Sequence, residues 1–286
     1  MRCAFPRAGT AVVCAVSGGA DSLALLALAV AAGCRATAVH VDHGLRAGSA
    51  AEADVVHAAA CDVGAAFEAR AADVVPGPDL EARARAARYA VLPAGALTGH
   101  TADDQAETVL LNVLRGAGLD GLRGIRPGPT KPLLQLRRSD TAAVCRARGW
   151  APVDDPSNHD PSIRRNRVRH ELLPLLDDIA ERDVASVLAR QAALLGGDAE
   201  LLDALASALD PTDARDLAVA PLPLARRAVR SWLRASSDAE HHPPDRATVE
   251  RVLAVARGEA VATDVGGGRR VQRSQGRLRL QLRSEP

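Results

Sequence analysis

The chain has 286 residues, 47% of them hydrophobic and 25% charged, which fits a soluble globular protein of one large domain or, given where single cores stop growing, two. Its net charge of +1 excludes a global basic field and leaves any nucleic-acid surface to local patches. Five scattered cysteines without a C-x-x-C pair exclude a disulfide framework and a cysteine-held metal or iron-sulfur site, and no apolar run reaches the roughly 18 residues of a membrane span. Reduced, buried thiols, no exported leader and a cytoplasmic location are expected. Aromatic residues are only 2%, so alanine, leucine and valine must fill the core, and the sole lysine is Lys131.

The apolar run Ala11 to Val16 reads as a fully buried strand, and Asp21 to Ala32 as a helix stopped by Gly33. Ala36 to His43 reads as a second strand. Ser49 and Glu52 form a capping box for a helix ending near Gly64, and Ala65 to Glu68 is a short third strand. Leu80 to Ala90 is helical and arginine-rich, Ala96 to His100 is strand-like, and Thr101 with Asp104 caps a helix ending near Gly116. Strand and helix alternating four times predict an α/β fold, a parallel doubly wound sheet with helices on both faces. Beyond Arg115 the texture turns to glycine, proline and basic residues, followed by a helix from Asp140 to Arg148. From Arg164 helices dominate: to Leu209, Leu224 to Ala235 and Arg246 to Arg257. The end alternates arginine and leucine over Arg277 to Leu282, with Ser274 to Gly276 as a hairpin turn. A smaller, mainly helical C-terminal domain ending in a short β hairpin is therefore expected, with the boundary near Pro174 to Asp178: domains 1–175 and 176–286.

Four stretches carry chemistry beyond structure. Ser17-Gly18-Gly19-Ala20-Asp21-Ser22 joins a strand to a helix N-terminus, where free N–H groups, the helix dipole and serine hydroxyls suit an anion. A tight turn with capping residues is its plain alternative. The stretch lacks the lysine of a Walker A loop and the G-x-G-x-x-G of a dinucleotide fold. His40 and Asp42, in HVDHGLR, end the second strand, where open α/β sheets bind ligands, though they equally suit a turn. His100, Asp103, Asp104, Gln105 and Glu107 crowd the first turns of the next helix. Acids there favour the helix dipole, but this number exceeds what capping requires and suits Mg²⁺ or an ammonium group. Arg164, Arg165, Asn166, Arg167, Arg169 and His170 form an acid-free basic run, either a solvated helix face or a surface for polyanions.

SGGADS, HVDHGLR, GHTADDQAETVLLNVLRG, KPLL at Lys131 to Leu134, and DDPSN with RRNRVRHELLPLL, in this order, resemble the tRNA(Ile)-lysidine synthetase family of PP-loop ATP pyrophosphatases. The resemblance covers about Ala11 to Leu176. It implies an adenine nucleotide alpha hydrolase-like fold and a C-terminal domain that touches tRNA. It also implies ATP and Mg²⁺, free L-lysine, and tRNA(Ile) with a CAU anticodon, and is compatible with a homodimer. The wobble cytidine O2 would attack the α-phosphate of ATP, releasing pyrophosphate, and the ε-amine of lysine would displace AMP to give lysidine. Ser17 to Ser22, His40 and Asp42 would bind ATP, Asp21 and Asp104 the metal, and Asp21, His100, Asp104 and Glu107 would serve catalysis. Asp103, Glu107, Arg164, Arg165, Asn166, Arg167 and Arg169 would meet lysine or tRNA; the sequence does not divide these duties.

Longer members of that family carry a further C-terminal domain, which this chain, ending at Pro286, is expected to lack. Discrimination against the methionine tRNA would then rest on other residues. Two alternatives stay open: another PP-loop tRNA-modifying enzyme such as a 2-thiocytidine synthetase, against which the missing C-x-x-C weighs, and a non-catalytic nucleotide- or RNA-binding module.

Overall fold

A computed structural model describes residues 3–42, 44, 49–74, 77, 80–236 and 244–282. His43, Leu45 and Arg46 of HVDHGLR lie outside them, as does the Ser49 side chain of the expected capping box. The chain divides into two compact units, Met1–Leu195 and Gly196–Pro286.

In the first unit, β1 (Ala11–Ala15), β2 (Arg35–Asp42) and β3 (Ala66–Ala71) pair in parallel in the order β1-β2-β3. Helices α1 (Ala20–Ala31), α2 (Ser49–Val63) and α3 (Leu80–Val91) connect or follow them. The period of two along β2 sorts its side chains to opposite faces. Ala36 and Ala38 join Leu23, Leu25, Leu26, Val56 and Ala60 in one core, while Val39 and Val41 join Ala72 and Leu92 in another. Helices thus cover both faces, as expected of a doubly wound sheet.

The expected fourth strand is reduced to a single parallel bridge, Cys14 to Leu97. Leu97 exchanges backbone hydrogen bonds with Val13 and Ala15 (2.7 and 2.9 Å), but the Thr98 N–H already turns to Thr130 O (2.9 Å) and Gly99 runs against α1. One bridge is enough to place residues 97–100 beside β1, on the side away from β2. The sheet order therefore reverses between β1 and Leu97, and such a switch point is where open α/β sheets hold ligands.

Beyond α4 (Ala102–Leu114) come a short α5 (Leu119–Leu122) and α6 (Arg138–Ala147), which packs against α1 and sends Cys145 into the larger core. After a 3₁₀ turn at Pro156–His159, one helical stretch carries α7 (Arg164–Arg167), a π turn at Val168–Leu172 and α8 (Leu173–Ala180). The division between units falls within α9 (Val184–Ser207), at the Gly196-Gly197 pair rather than near Pro174.

The second unit contains α10 (Ala214–Val219), α11 (Leu222–Ala235), α12 (Arg246–Arg257) and an antiparallel sheet of β4 (Ala262–Gly266), β5 (Arg269–Ser274) and β6 (Arg277–Leu282). Val229, Leu233, Val252, Leu253, Val271 and Leu278 are among its buried core residues. The β5–β6 turn places Gln275 and Gly276 at φ 50° and 75°, the left-handed pair a tight hairpin needs. β4 had no strand pattern of its own, because its residues are at best half-buried and edge β5 on one side only.

Candidate active site

The switch point opens a cavity of about 780 Å³. One wall is the loop from β1 to α1, where Ser17, Gly19, Ala20, Asp21 and Ser22 line the space. Gly18 turns away. Its φ of +90° suits glycine, and a Cβ there would come within 2.9 Å of Val153 Cγ2. The Gly18 carbonyl accepts from the Val153 N–H (3.0 Å), which anchors the 152–159 segment to the loop. Within the loop, the Ser22 hydroxyl donates to Gly19 O (2.8 Å) and accepts from the Ser17 N–H (3.1 Å).

The opposite wall is Gly99, His100 and the start of α4. A Cβ on Gly99 would lie 2.7 Å from Asp21 O, so glycine lets the two walls meet backbone to backbone. Asp104 accepts from the Thr101 N–H (2.8 Å), as a capping residue should, yet its other oxygen accepts from Arg138 and Arg165 (3.2 and 3.0 Å). Glu107 is wholly buried and accepts from three guanidiniums: Arg138 (3.1 Å), Arg165 (2.6 Å) and Arg169 (2.7 Å). Asp103 faces away from the cavity toward Arg137 (2.9 and 3.0 Å) and the Arg138 N–H (2.7 Å).

Arg138 joins the walls. It donates to Asp21 (3.4 Å) as well as to Asp104 and Glu107, and Thr141, one turn on, donates to Asp21. Burial disfavours its charge, but Asp104, Glu107 and Asp21 more than offset this and hold the guanidinium protonated above its usual range. Burial likewise pushes the Asp104 carboxyl up, and Arg138, Arg165 and the Thr101 N–H outweigh it, leaving the group below its usual range. Asp21 ends on the other side: burial dominates and the neighbouring Asp104 adds to it, so its carboxyl is raised despite Thr141 and Arg138. His100 is pushed down to about 4, first by burial and then by Arg85, Lys131 and Arg165, against Asp104. It is neutral near pH 7. The Thr98 hydroxyl donates to Thr130 O (3.2 Å), so at 2.8 Å it accepts from the His100 Nδ1–H, leaving Nε2 with the free lone pair.

The basic run divides by helical spacing. Arg165 and Arg169, four apart, share the face that reaches Glu107 and the cavity, whereas Arg164 is exposed and Arg167 pairs with Glu171 on the surface (2.8 Å). Asn166 is buried and donates to Ser157 O and Asp160 O (2.6 and 2.9 Å), fixing the 3₁₀ turn beside the cavity. His40 does not line the space. Its Nδ1 meets Val16 O (3.0 Å), bracing the residue before the loop, and Asp42 accepts from the Gly44 N–H (2.9 Å) as turn chemistry does.

Sequence reasoning passed over Arg138. A signal was present: Arg137 and Arg138 stand at a helix N-terminus, where the macrodipole disfavours positive charge, and such a placement needs acids from elsewhere. It also passed over Arg85, Arg88 and Tyr89, which line the cavity from α3.

Among the described residues no three His, Cys, Asp or Glu side chains cluster to cage a metal ion. Of the three aspartates on the cavity wall, Asp154 pairs with His159, while Asp21 and Asp104 lie on the two facing walls, and one or two carboxylates completed by substrate phosphates is how Mg²⁺ is commonly held. The raised Asp21 carboxyl is an acid short of positive charge, which a divalent ion would supply. The donor set fits magnesium carried in on a nucleotide.

Residues 3–176 match the family model of the PP-loop domain. The tRNA(Ile)-lysidine synthase of Nocardia farcinica is 43% identical over 98% of this chain and 94% of its own length. Those of Rhodococcus erythropolis and Mycolicibacterium paratuberculosis are 45% and 46% identical, over 78% and 77% of this chain and 73% of each relative. Among solved structures, a U34-tRNA thiolase from Methanococcus maripaludis superposes with a TM-score of 0.53 at 15% identity, covering 66% of this chain and 73% of that one; the likeness is one of fold.

Proposed function

This chain belongs to the tRNA(Ile)-lysidine synthase family, and on that premise we propose how its own residues divide the reaction. The protein is an ATP-dependent ligase acting on tRNA(Ile). It joins the ε-amine of L-lysine to C2 of the wobble cytidine in a CAU anticodon, changing the specificity of the tRNA from methionine to isoleucine.

The first half-reaction belongs to the β1–α1 loop. Its free backbone N–H groups and the Ser17 hydroxyl receive the ATP phosphates at the positive end of α1, the Ser22 hydroxyl bracing the loop through Gly19 O, and Arg85, Arg88 and Arg138 supply further positive charge around the cavity. Asp21 and Asp104 would hold Mg²⁺ together with the ATP phosphates, and the ion would supply positive charge against the phosphate oxygens. The cytidine O2 forms its bond to the α-phosphorus while the bond to pyrophosphate breaks. A target in an anticodon loop is already unstacked, so presenting it costs little.

In the second half-reaction the lysine amine attacks C2 and AMP leaves with the former carbonyl oxygen. Neutral His100 accepts the hydrogen bond of the attacking amine at Nε2, and Asp104 is the nearby pocket-facing counter-charge for the substrate's ammonium. Glu107 does not meet substrate in this account. Fully buried, it holds Arg138, Arg165 and Arg169 in place, and all three line the cavity, of which Arg165 and Arg169 are offered to tRNA phosphate or the lysine carboxylate.

The observation that carries this division is the reach of Arg138 to both walls, Asp21 beside the phosphate loop and Asp104 and Glu107 on α4. The test is purified protein with ATP, Mg²⁺, radiolabelled lysine and unmodified tRNA(Ile) bearing CAU. Label in the tRNA is expected, and none in the same tRNA with cytidine 34 replaced by uridine. Binding of ATP and tRNA without transfer would favour a non-catalytic module.

A further inference from the structure

A cytosine carries no charge, so phosphate-binding arginines alone cannot seat it; it needs a flat apolar surface. Two Trp, one Tyr and two Phe are the chain's whole aromatic complement. Tyr89 is the only one of them on the cavity wall, and Arg85 already covers its ring, 5.2 Å from the centroid. His100 is tied to Thr98 through Nδ1, and its Nε2 is committed to the attacking amine.

Among the described residues, two other rings remain on that wall. His159, ending the 3₁₀ turn, and His170, in the π turn, stack with centroids 5.8 Å apart and planes 22° from parallel. Both rings are held by their edges. The Asp154 carboxylate accepts from His159 Nε2 (3.0 and 3.1 Å), and Asn158 O accepts from His170 Nε2 (3.1 Å). Buried Asn166 pins the turn beneath them. The rings cover one face of each other, which leaves the outer face of the pair for a base, and the His159 side chain is 62% exposed. The sequence spacing of eleven residues gives no hint of this pairing, which exists because the 156–159 turn folds back onto the π turn.

We propose that the His159–His170 pair is the stacking platform for the wobble base, and that both are positioning residues for the adenylation step. The proposal rests on the reading that the cavity receives a tRNA anticodon. Arg165 and Arg169, on the same helical stretch, lie beside the platform for the flanking phosphates.

The probe is an anticodon stem-loop RNA with pyrrolocytosine at the wobble position, whose emission falls when the base stacks. Wild-type protein is expected to bind it with quenching. His159→Ala and His170→Ala should each weaken binding by about five- to a hundredfold and remove the quenching, with ATP affinity unchanged. The dependence of binding on salt should keep its slope, since no phosphate contact is lost, and His159→Phe should restore affinity. Because His170 also braces Asn158 O, the His159 variants decide the matter should His170→Ala fail to fold. Wild-type affinity and quenching in His159→Ala would overturn the proposal. So would a loss that flattens the salt slope and is not rescued by phenylalanine, the mark of a phosphate contact. Wild-type protein that fails to bind the stem-loop at all would instead strike the tRNA reading, and the platform with it.

Discussion

The two units use arginine differently. In the first, Arg138, Arg165 and Arg169 converge from two helices on one carboxylate with no solvent exposure, Asp104 shares Arg138 and Arg165, and Asp21 shares Arg138. In the second, arginines meet carboxylates that stay a third or more exposed: Arg277 at Asp210, Arg226 and Arg246 at Glu250, Arg257 at Glu259. The residue types are alike; what separates the two is the burial of the carboxylate and the number of guanidiniums gathered on it. Desolvated charges are strong only when every partner is present, whereas exposed pairs are screened and nearly free to lose. A near-neutral chain can thus hold a concentrated field at one site without a basic surface.

The comparison can be broken at its centre. Glu107→Ala should cost about 3–5 kcal/mol, since it leaves three half-buried guanidiniums facing one another. The readout is built in: Trp150 packs on the core of the first unit and Trp232 on that of the second. Urea unfolding followed by Trp150 fluorescence in a Trp232→Phe background should move, and the Trp232 signal in a Trp150→Phe background should not. Gly99→Ala comes next, at about 3 kcal/mol, because the new methyl meets α1 backbone rather than a movable side chain. The same Trp150 transition checks it, together with weakened ATP binding.

A smaller effect is set by pH. The His100 pKa falls from 6.5 to about 4 on folding. Below pH 6.5 the unfolded chain takes up a proton that the folded imidazole refuses, so this group's stabilisation, complete above 6.5, is lost as pH falls toward 4. Between pH 7 and 5 the loss is about 2 kcal/mol. Asp21 acts in the opposite sense, since a raised carboxyl gains stability as pH falls. The difference between wild type and His100→Gln therefore isolates the histidine, and the variant should lack that part of the pH dependence. At the far end, Arg277→Ala should leave the Trp232 transition where it was. The Asp210 carboxyl is held down to about 2 by Thr212 and Arg277, but both partners are solvated.

The fold was largely legible, because the strand and helix alternation through Leu114 follows from runs of alanine, leucine and valine with glycine stops. What escaped was decided by tertiary pairing. Residues 96–100 have strand composition, yet Thr98 finds its partner in Thr130 instead of a neighbouring strand. Of the candidate site, the loop and Asp104 come to one cavity from local patterns, whereas Asp103 and Glu107, read alongside them, do not line it. Arg138 was not, since its meaning comes from α6 packing on α1, over a hundred residues away in sequence from Asp21. Nor was the difference between Arg165 and Arg167, neighbours in one basic run, of which one turns to Glu107 and the other to the surface pair with Glu171.

Asp21 is proposed to act at the phosphate loop in the first half-reaction. ATP labelled at the α-phosphate, with lysine withheld, reports that step as label carried onto tRNA(Ile). Wild-type protein should transfer it, and Asp21→Asn should not, while binding tRNA as tightly as wild type. Labelling by Asp21→Asn at the wild-type rate would contradict the account.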